Sequence, residues 1–261
     1  MQRANREGRG PLHMRVAGRT LGSALRVVPY ERRFAAALAM ARTLSPVLHR
    51  LLVGARLPRG HTDTPLASAL FSVLGHMHRR RIPFPLPVRV EGSAEILAPR
   101  DGRGLLVVGP FSALNSPMMR FLHRHRPDMT VVTGNRLRYE CIGDEATIPV
   151  ICRGPAFMVG VRQALARGGL VAAMIERWEP GRRTVGFPTA RGPMLAADAL
   201  VRLAARCDAR LCFAAVRLDG DGAVTVALGA PPEGAPRSAE ADLAAYVAFV
   251  QRLVAASARA G

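Results

Sequence analysis

Apolar residues fall along this chain in two rhythms. Over residues 28–55 they recur at helical spacing, at Phe34, Leu38, Ala41 and Leu44 and again at Leu48, Leu51 and Leu52, which predicts a long helix. Pro46 sits inside that stretch and predicts a kink or a split, because its ring displaces the preceding turn and it has no N–H to donate. Residues 56–64 read as a loop. Residues 65–80 read as a second helix, with Leu66, Leu70, Val73 and Leu74 on one face. Pro83, Pro85 and Pro87 make a stiff lead into a strand at 88–91, followed by a turn and short helix at 92–96.

From there short apolar runs alternate with helical stretches. Strands are predicted at 105–108, 129–133, 147–152, 170–175, 210–217 and 223–228, and helices at 116–123, 156–167, 193–207 and 240–257. Gly168-Gly169 closes one helix, and Asp219-Gly220-Asp221-Gly222 turns one strand back on the next. Alternating βα units predict an α/β fold, a mostly parallel sheet flanked by helices. With no repeat and no linker, the organisation reads as a basic disordered tail over 1–25 and a single α/β domain over 26–261. Within that domain, 26–82 is a helical extension and 83–261 the α/β core.

Composition narrows the setting. A chain of 261 residues that is 49% hydrophobic has enough apolar side chains for a large core. No apolar run reaches the roughly 18–20 residues that span a bilayer. The best, 34–53, is broken by Arg42, Pro46, His49 and Arg50. The basic start leads only into 21–28, too short for a signal peptide core and carrying Arg26. The expected location is cytoplasmic or peripheral on the inner membrane face. The net charge is +18, and all 37 basic residues are arginine. A GC-rich coding bias explains arginine without lysine. A functional reading is an anionic partner: phospholipid headgroups of a membrane surface, an acidic carrier protein, or nucleic acid. Nucleic acid is disfavoured, because aromatic residues are only 5% and no reading motif is present. The four cysteines form no CxxC pair and no metal-ligand spacing, so they read as reduced and mostly buried, with no metal site.

The most informative stretch is GLLVVGPFSALNSPMMR, residues 104–120. A buried strand runs into a helix start, the place where α/β enzymes gather reactive groups. Here the junction offers Phe111, Ser112, Asn115 and Ser116, with no His, Asp, Glu, Cys or Lys. Ser and Asn at a helix start cap free N–H groups. The same groups can receive an anion or an acyl carbonyl. Ser116 as a covalent nucleophile lacks a visible partner base. A literal H-x4-D, His123 to Asp128, lies at the far end of the helix, where Pro127 prevents the turn that would join the pair. It reads as a solvated basic loop. His76 and His78 are two residues apart on different helix faces, poor spacing for a metal. Dinucleotide, P-loop, serine-hydrolase and zincin motifs are absent.

Three blocks resemble the lysophospholipid acyltransferase superfamily, and more closely the lauroyl/myristoyl acyltransferases of lipid A biosynthesis. VEGSAEILAPRDGRGLLVVGPF (90–111) is similar to that family's strand, short helix and catalytic strand. ALARGGLVAAMIER (164–177) is similar to its helix, Gly-Gly turn and strand ending in an acidic-Gln pair, here Glu176 and Arg177. VGFPTARGPMLAADALVRLAARCDARLCFAAVRLDGDG (185–222) is similar to its aromatic-Gly loop, small-residue helix, strand and hairpin. The resemblance spans roughly residues 25–255. It implies a glycerolipid acyltransferase-like fold and transfer of a fatty acyl group from a thioester on CoA or acyl carrier protein to a lipid or small-molecule hydroxyl or amine. No other cofactor is implied.

In that family an H-x4-D/E motif follows the strand, and its His is the general base on the acceptor hydroxyl. Here the His slot falls on Phe111, or Pro110 with a one-residue shift, and the acid slot on Ser116 or Asn115. The resemblance therefore implies either transfer by a degenerate site, with Ser112, Asn115 and Ser116 in the motif's place, or a protein that binds an acyl chain, lipid or acyl carrier without turnover. A base for the first reading would come from substrate, water, or His76 or His78. The resemblance further implies donor or headgroup contacts at Arg120, Asn135, Arg136, Arg138, Arg153, Glu176, Arg177 and Arg191.

Overall fold

A computed structural model describes residues 25–54, 64–112, 114–134, 139–140, 147–152, 154, 156–177, 184–189, 192–232, 234 and 238–259. Its helices are α1 (Arg33–Gly54), α2 (Pro65–Arg79), α3 (Asn115–His125), α4 (Phe157–Ala166), α5 (Ala199–Arg206) and α6 (Ala239–Arg259). Its strands are β1 (Val88–Glu91), β2 (Leu105–Gly109), β3 (Thr130–Thr133), β4 (Tyr139–Glu140), β5 (Thr147–Ile148), β6 (Val150–Cys152), β7 (Leu170–Met174), β8 (Glu176–Arg177), β9 (Thr184–Thr189), β10 (Gly192–Ala197), β11 (Arg210–Leu218) and β12 (Val224–Gly229).

The main sheet has seven strands in the order β1-β12-β11-β2-β7-β3-β6. The run from β11 to β6 is parallel throughout. The hairpin returns β12 antiparallel to β11, and β1 lies parallel to β12 at the edge. The central strand β2 shows why both faces must be covered. All five of its residues are buried. Leu105 and Val107 point into a core shared with α1, α2 and α3. Leu106 and Val108 point into a second core shared with α4, α5 and α6. Strict alternation within a continuous apolar run is what a doubly covered parallel strand requires. Cys212 of β11 lies in the first core, where burial pushes its thiol up to about 12. It is a packing residue, whereas Cys152 at the end of β6 is exposed.

Three expectations change. Residues 193–207 are not one helix. β9 and β10 form an antiparallel pair with Phe187 opposite Met194, and only after Asp198 does α5 begin. Met194 and Ala196 are buried while Leu195 and Ala197 are half-buried, a period of two. Small apolar residues hide that alternation, because alanine fits either rhythm. The run 147–152 is likewise two strands: Pro149 separates β5, paired with β4, from β6, which joins the main sheet beside β3. The helix α1 spans Pro46 as one element rather than two. Residues 1–24 and 55–63 of the predicted tail and loop lie outside the described residues. Thr64 caps α2, its hydroxyl accepting from the Ala67 N–H at 3.1 Å. No described helix is long and apolar enough to cross a membrane.

In the H-x4-D stretch Arg124, His125, Pro127 and Asp128 are exposed, as a solvated basic segment requires, and Arg126 is the exception. Arg126 is only 4% exposed. Its guanidinium donates to both oxygens of Asp128 at 2.7 and 2.6 Å, to the Leu97 carbonyl at 3.1 Å and to the Gly168 carbonyl at 2.9 Å. These groups precede β3, β2 and β7, so the clasp ties the amino ends of three strands. The Arg126 hydrogen bond holds the Asp128 carboxyl below the usual carboxylate range. A depressed carboxyl contributes stability that is full above its unfolded value and lost as pH falls through the folded one. Stability measured against pH is therefore expected to show an added loss beginning near pH 4. Asp128→Asn should lack that increment when the two urea midpoints are compared from pH 7 downward.

Candidate functional site

The carboxyl ends of β2 and β7 meet at a polar junction. Gly109 ends β2, and its carbonyl accepts from the Ile175 N–H at 3.1 Å. Pro110 contributes no N–H. The Phe111 N–H is turned to the neighbouring strand, where it donates to Glu176 Oε2 at 2.8 Å. Ser112 then turns the chain into α3: its Oγ accepts from the Leu114 N–H at 3.1 Å and its carbonyl accepts from the Asn115 N–H at 3.2 Å. The residue at the head of α3 is Leu114, whose side chain cannot cap.

The capping role expected of Ser112 is thus spent one step upstream, on the turn itself. Pro117 in the first turn suits a helix start, since an N–H there would lack an intrahelical partner. Ser112, Asn115, Ser116 and Glu176 are all buried, Glu176 to 5% exposure. Asn115 Oδ1 is shielded from solvent, and no described residue gives it a hydrogen bond.

From the opposite face of the sheet, Tyr246 of α6 reaches toward the same junction. It is 0% exposed and packs edge-on against Phe213 at 5.7 Å between ring centres. Its hydroxyl is pushed well above the usual phenol range, first by burial and then by the negative charge of Glu176. A buried phenol is expected to find a partner, and this hydroxyl has none among the described residues.

Of the residues singled out by sequence, Phe111, Ser112, Asn115, Ser116 and Glu176 come together. Phe111 is 38% exposed at this junction. Arg120 lies further along α3, where it lines a groove with Leu86 and Val88. The Arg177 backbone pairs with Leu195 in the small sheet β8-β10-β9. Asn135, Arg136, Arg138, Arg153 and Arg191 lie outside the described residues. His76 of α2 is held below the usual imidazole range by burial and then by Arg79 and Arg80, so it stays neutral near pH 7.

Tyr246 was missed by sequence reasoning. Its signal was a tyrosine on the stripe of α6 formed by Leu243, Phe249, Val250 and Leu253, where a hydroxyl must enter the core. No family model matches this chain, and no curated protein matches it. The three quoted blocks therefore carry the family resemblance by themselves.

Proposed function

We propose that this chain is a lipid A-type acyltransferase-like protein, with a glycerolipid acyltransferase-like core and residues 26–82 as its helical extension. It takes an acyl thioester from CoA or acyl carrier protein at the carboxyl ends of β2 and β7. The acyl group passes to a lipid or small-molecule hydroxyl or amine. The observation that carries this reading is the buried carboxylate of Glu176 bonded to the Phe111 N–H, at the head of the Ser112–Ser116 turn.

Attack on a thioester needs the acceptor's proton removed and the carbonyl oxygen supported as it gains charge. In place of the family's imidazole, Glu176 is the carboxylate at this junction, brought in from the next strand. The start of α3 supplies hydroxyls and N–H groups for the carbonyl. The excess of arginine suits an anionic membrane surface or an acidic carrier protein, with the protein peripheral on the inner membrane face. Nucleic acid remains the disfavoured partner.

A second reading is acyl, lipid or acyl-carrier binding without turnover. It is favoured by Phe111 itself, which has no lone pair to take a proton. Thiol release from acyl-CoA and acyl carrier protein thioesters, with and without lipid acceptors, separates the two. Transfer predicts acceptor-dependent release that falls about 100-fold in Glu176→Gln, the lower end of what a positioned base contributes. Saturable acyl binding with no release selects the second reading. Neither release nor binding removes both.

A further inference from the structure

Two segments of the helical extension are tied together at the end of α2. The chain before α1 turns at residues 26–28, and Arg33 clamps that turn. Its guanidinium donates to the Val28 carbonyl at 2.9 Å, to the Arg26 carbonyl at 3.3 Å and to the Pro83 carbonyl at 2.9 Å. Arg26 donates to the Arg80 carbonyl at 3.2 Å. Leu25, Phe34, Ile82 and Phe84 anchor both segments in the first core. The groups left outside are therefore held in place. Val27 is 84% exposed and Tyr30 47%. Arg32, Arg79, Arg80 and Arg81 are exposed, and among the described residues nothing pairs with their guanidinium groups. Residues 25–33 and 76–84 hold six arginines and one acid, Glu31. Arg81 sits in the left-handed backbone region, at φ 52°, where it closes α2. The Arg81 N–H donates to the His78 carbonyl and the Ile82 N–H to the Met77 carbonyl, both at 2.9 Å. Glycine is the usual residue at such a helix end, because a Cβ is strained there. Here the position carries a cation.

We infer that this end of the molecule docks on a membrane surface of anionic phospholipid, with Arg32, Arg79, Arg80 and Arg81 against headgroup phosphates and Val27 and Tyr30 in the interface. Exposed guanidinium forks match phosphate oxygens. A tyrosine suits the headgroup level, because its ring is apolar and its hydroxyl polar. Val27 decides between anionic partners. A nucleic acid backbone satisfies the charges but gains nothing from a valine, whereas a lipid interface buries it. No described helix is long and apolar enough to cross a membrane, and docking of this kind needs none. It rests on the peripheral location proposed above and uses none of the acyl chemistry.

Co-sedimentation of the full chain with vesicles tests it. Vesicles of phosphatidylcholine with phosphatidylglycerol should bind far more tightly than phosphatidylcholine alone, and the difference should shrink at high salt. Arg80→Gln should weaken that binding about 5-fold, the loss of one arginine at an anionic surface. Arg79→Gln, Arg80→Gln and Arg81→Gly together should weaken it about 100-fold. Val27→Ser should weaken vesicle binding and leave retention on a heparin column unchanged. Arg81→Gly alone separates docking from structure. It relieves the left-handed strain, so the melting temperature should hold or rise while vesicle binding falls. Equal binding to both kinds of vesicle, unchanged binding in the triple variant or in Val27→Ser, or losses that only track a lowered melting temperature overturn the inference. So does tighter binding to duplex DNA than to the anionic vesicles. Acyl release without vesicle binding sinks this surface alone. Vesicle binding with neither acyl release nor acyl binding sinks the acyl reading alone.

Discussion

Gly109→Ala is expected to lower stability by about 3 kcal/mol and to disable the junction as well. A Cβ at Gly109 would stand 2.3 Å from the Ala214 carbonyl oxygen and 3.7 Å from Met174 Cε. The first is far inside contact distance, and the obstacle is backbone of β11, not a side chain that can rotate away. Because β2 is flanked by β11 and β7, the strain has to be shared by strands buried on both faces. Gly109 also accepts the Ile175 N–H, so a shift there moves Ile175 and with it Glu176. The bond from the Phe111 N–H to Glu176 is two residues further on. A urea titration followed by circular dichroism measures the loss. Gly134→Ala is the control, since no atom of the described residues lies within 4 Å of a Cβ there. It should stay within about 0.5 kcal/mol of the parent.

Arg126→Ala is expected to cost a similar amount, about 3 kcal/mol, for a different reason. The side chain of Asp128 is half exposed, at 48%, so its charge is not stranded when the guanidinium goes. The loss comes from the Leu97 and Gly168 carbonyls, which lose their Arg126 donors. An unsatisfied buried acceptor costs about 1–3 kcal/mol. Packing of the arginine stem adds to this. Arg126→Lys should recover only part, because an ammonium cannot make the forked pair to Asp128 while reaching both carbonyls. In the alanine variant the Asp128-dependent loss at low pH should disappear. Thermal melts at neutral and acid pH would show both effects.

The alternating apolar runs were enough to place the sheet and its flanking helices, because a doubly covered strand and a helix stripe differ in period. They failed at 193–207, where alanines fill both rhythms, and at 147–152, where one proline separates two partners. The candidate site was legible in its members but not in its bonds. Glu176 and Phe111 stand 65 residues apart, and only the parallel pairing of β2 with β7 sets them side by side. The clasp at Arg126 was hidden for the same reason. Its carbonyl partners come from turns before other strands, and a charged run reads from sequence as solvent-facing. Tyr246 shows the converse: burial was readable from its helix stripe, but its proximity to Glu176 was not.

We propose that an acyl thioester is held at the carboxyl ends of β2 and β7, beside Ser112, Asn115, Ser116 and Glu176. Photocrosslinking with an acyl-CoA carrying a diazirine near the thioester tests it most directly. Adducts are expected within residues 109–121 and 174–177, competed away by unlabelled acyl-CoA and reduced in Gly109→Ala. Competed adducts confined to other parts of the chain, with residues 109–121 and 174–177 unlabelled, would contradict it.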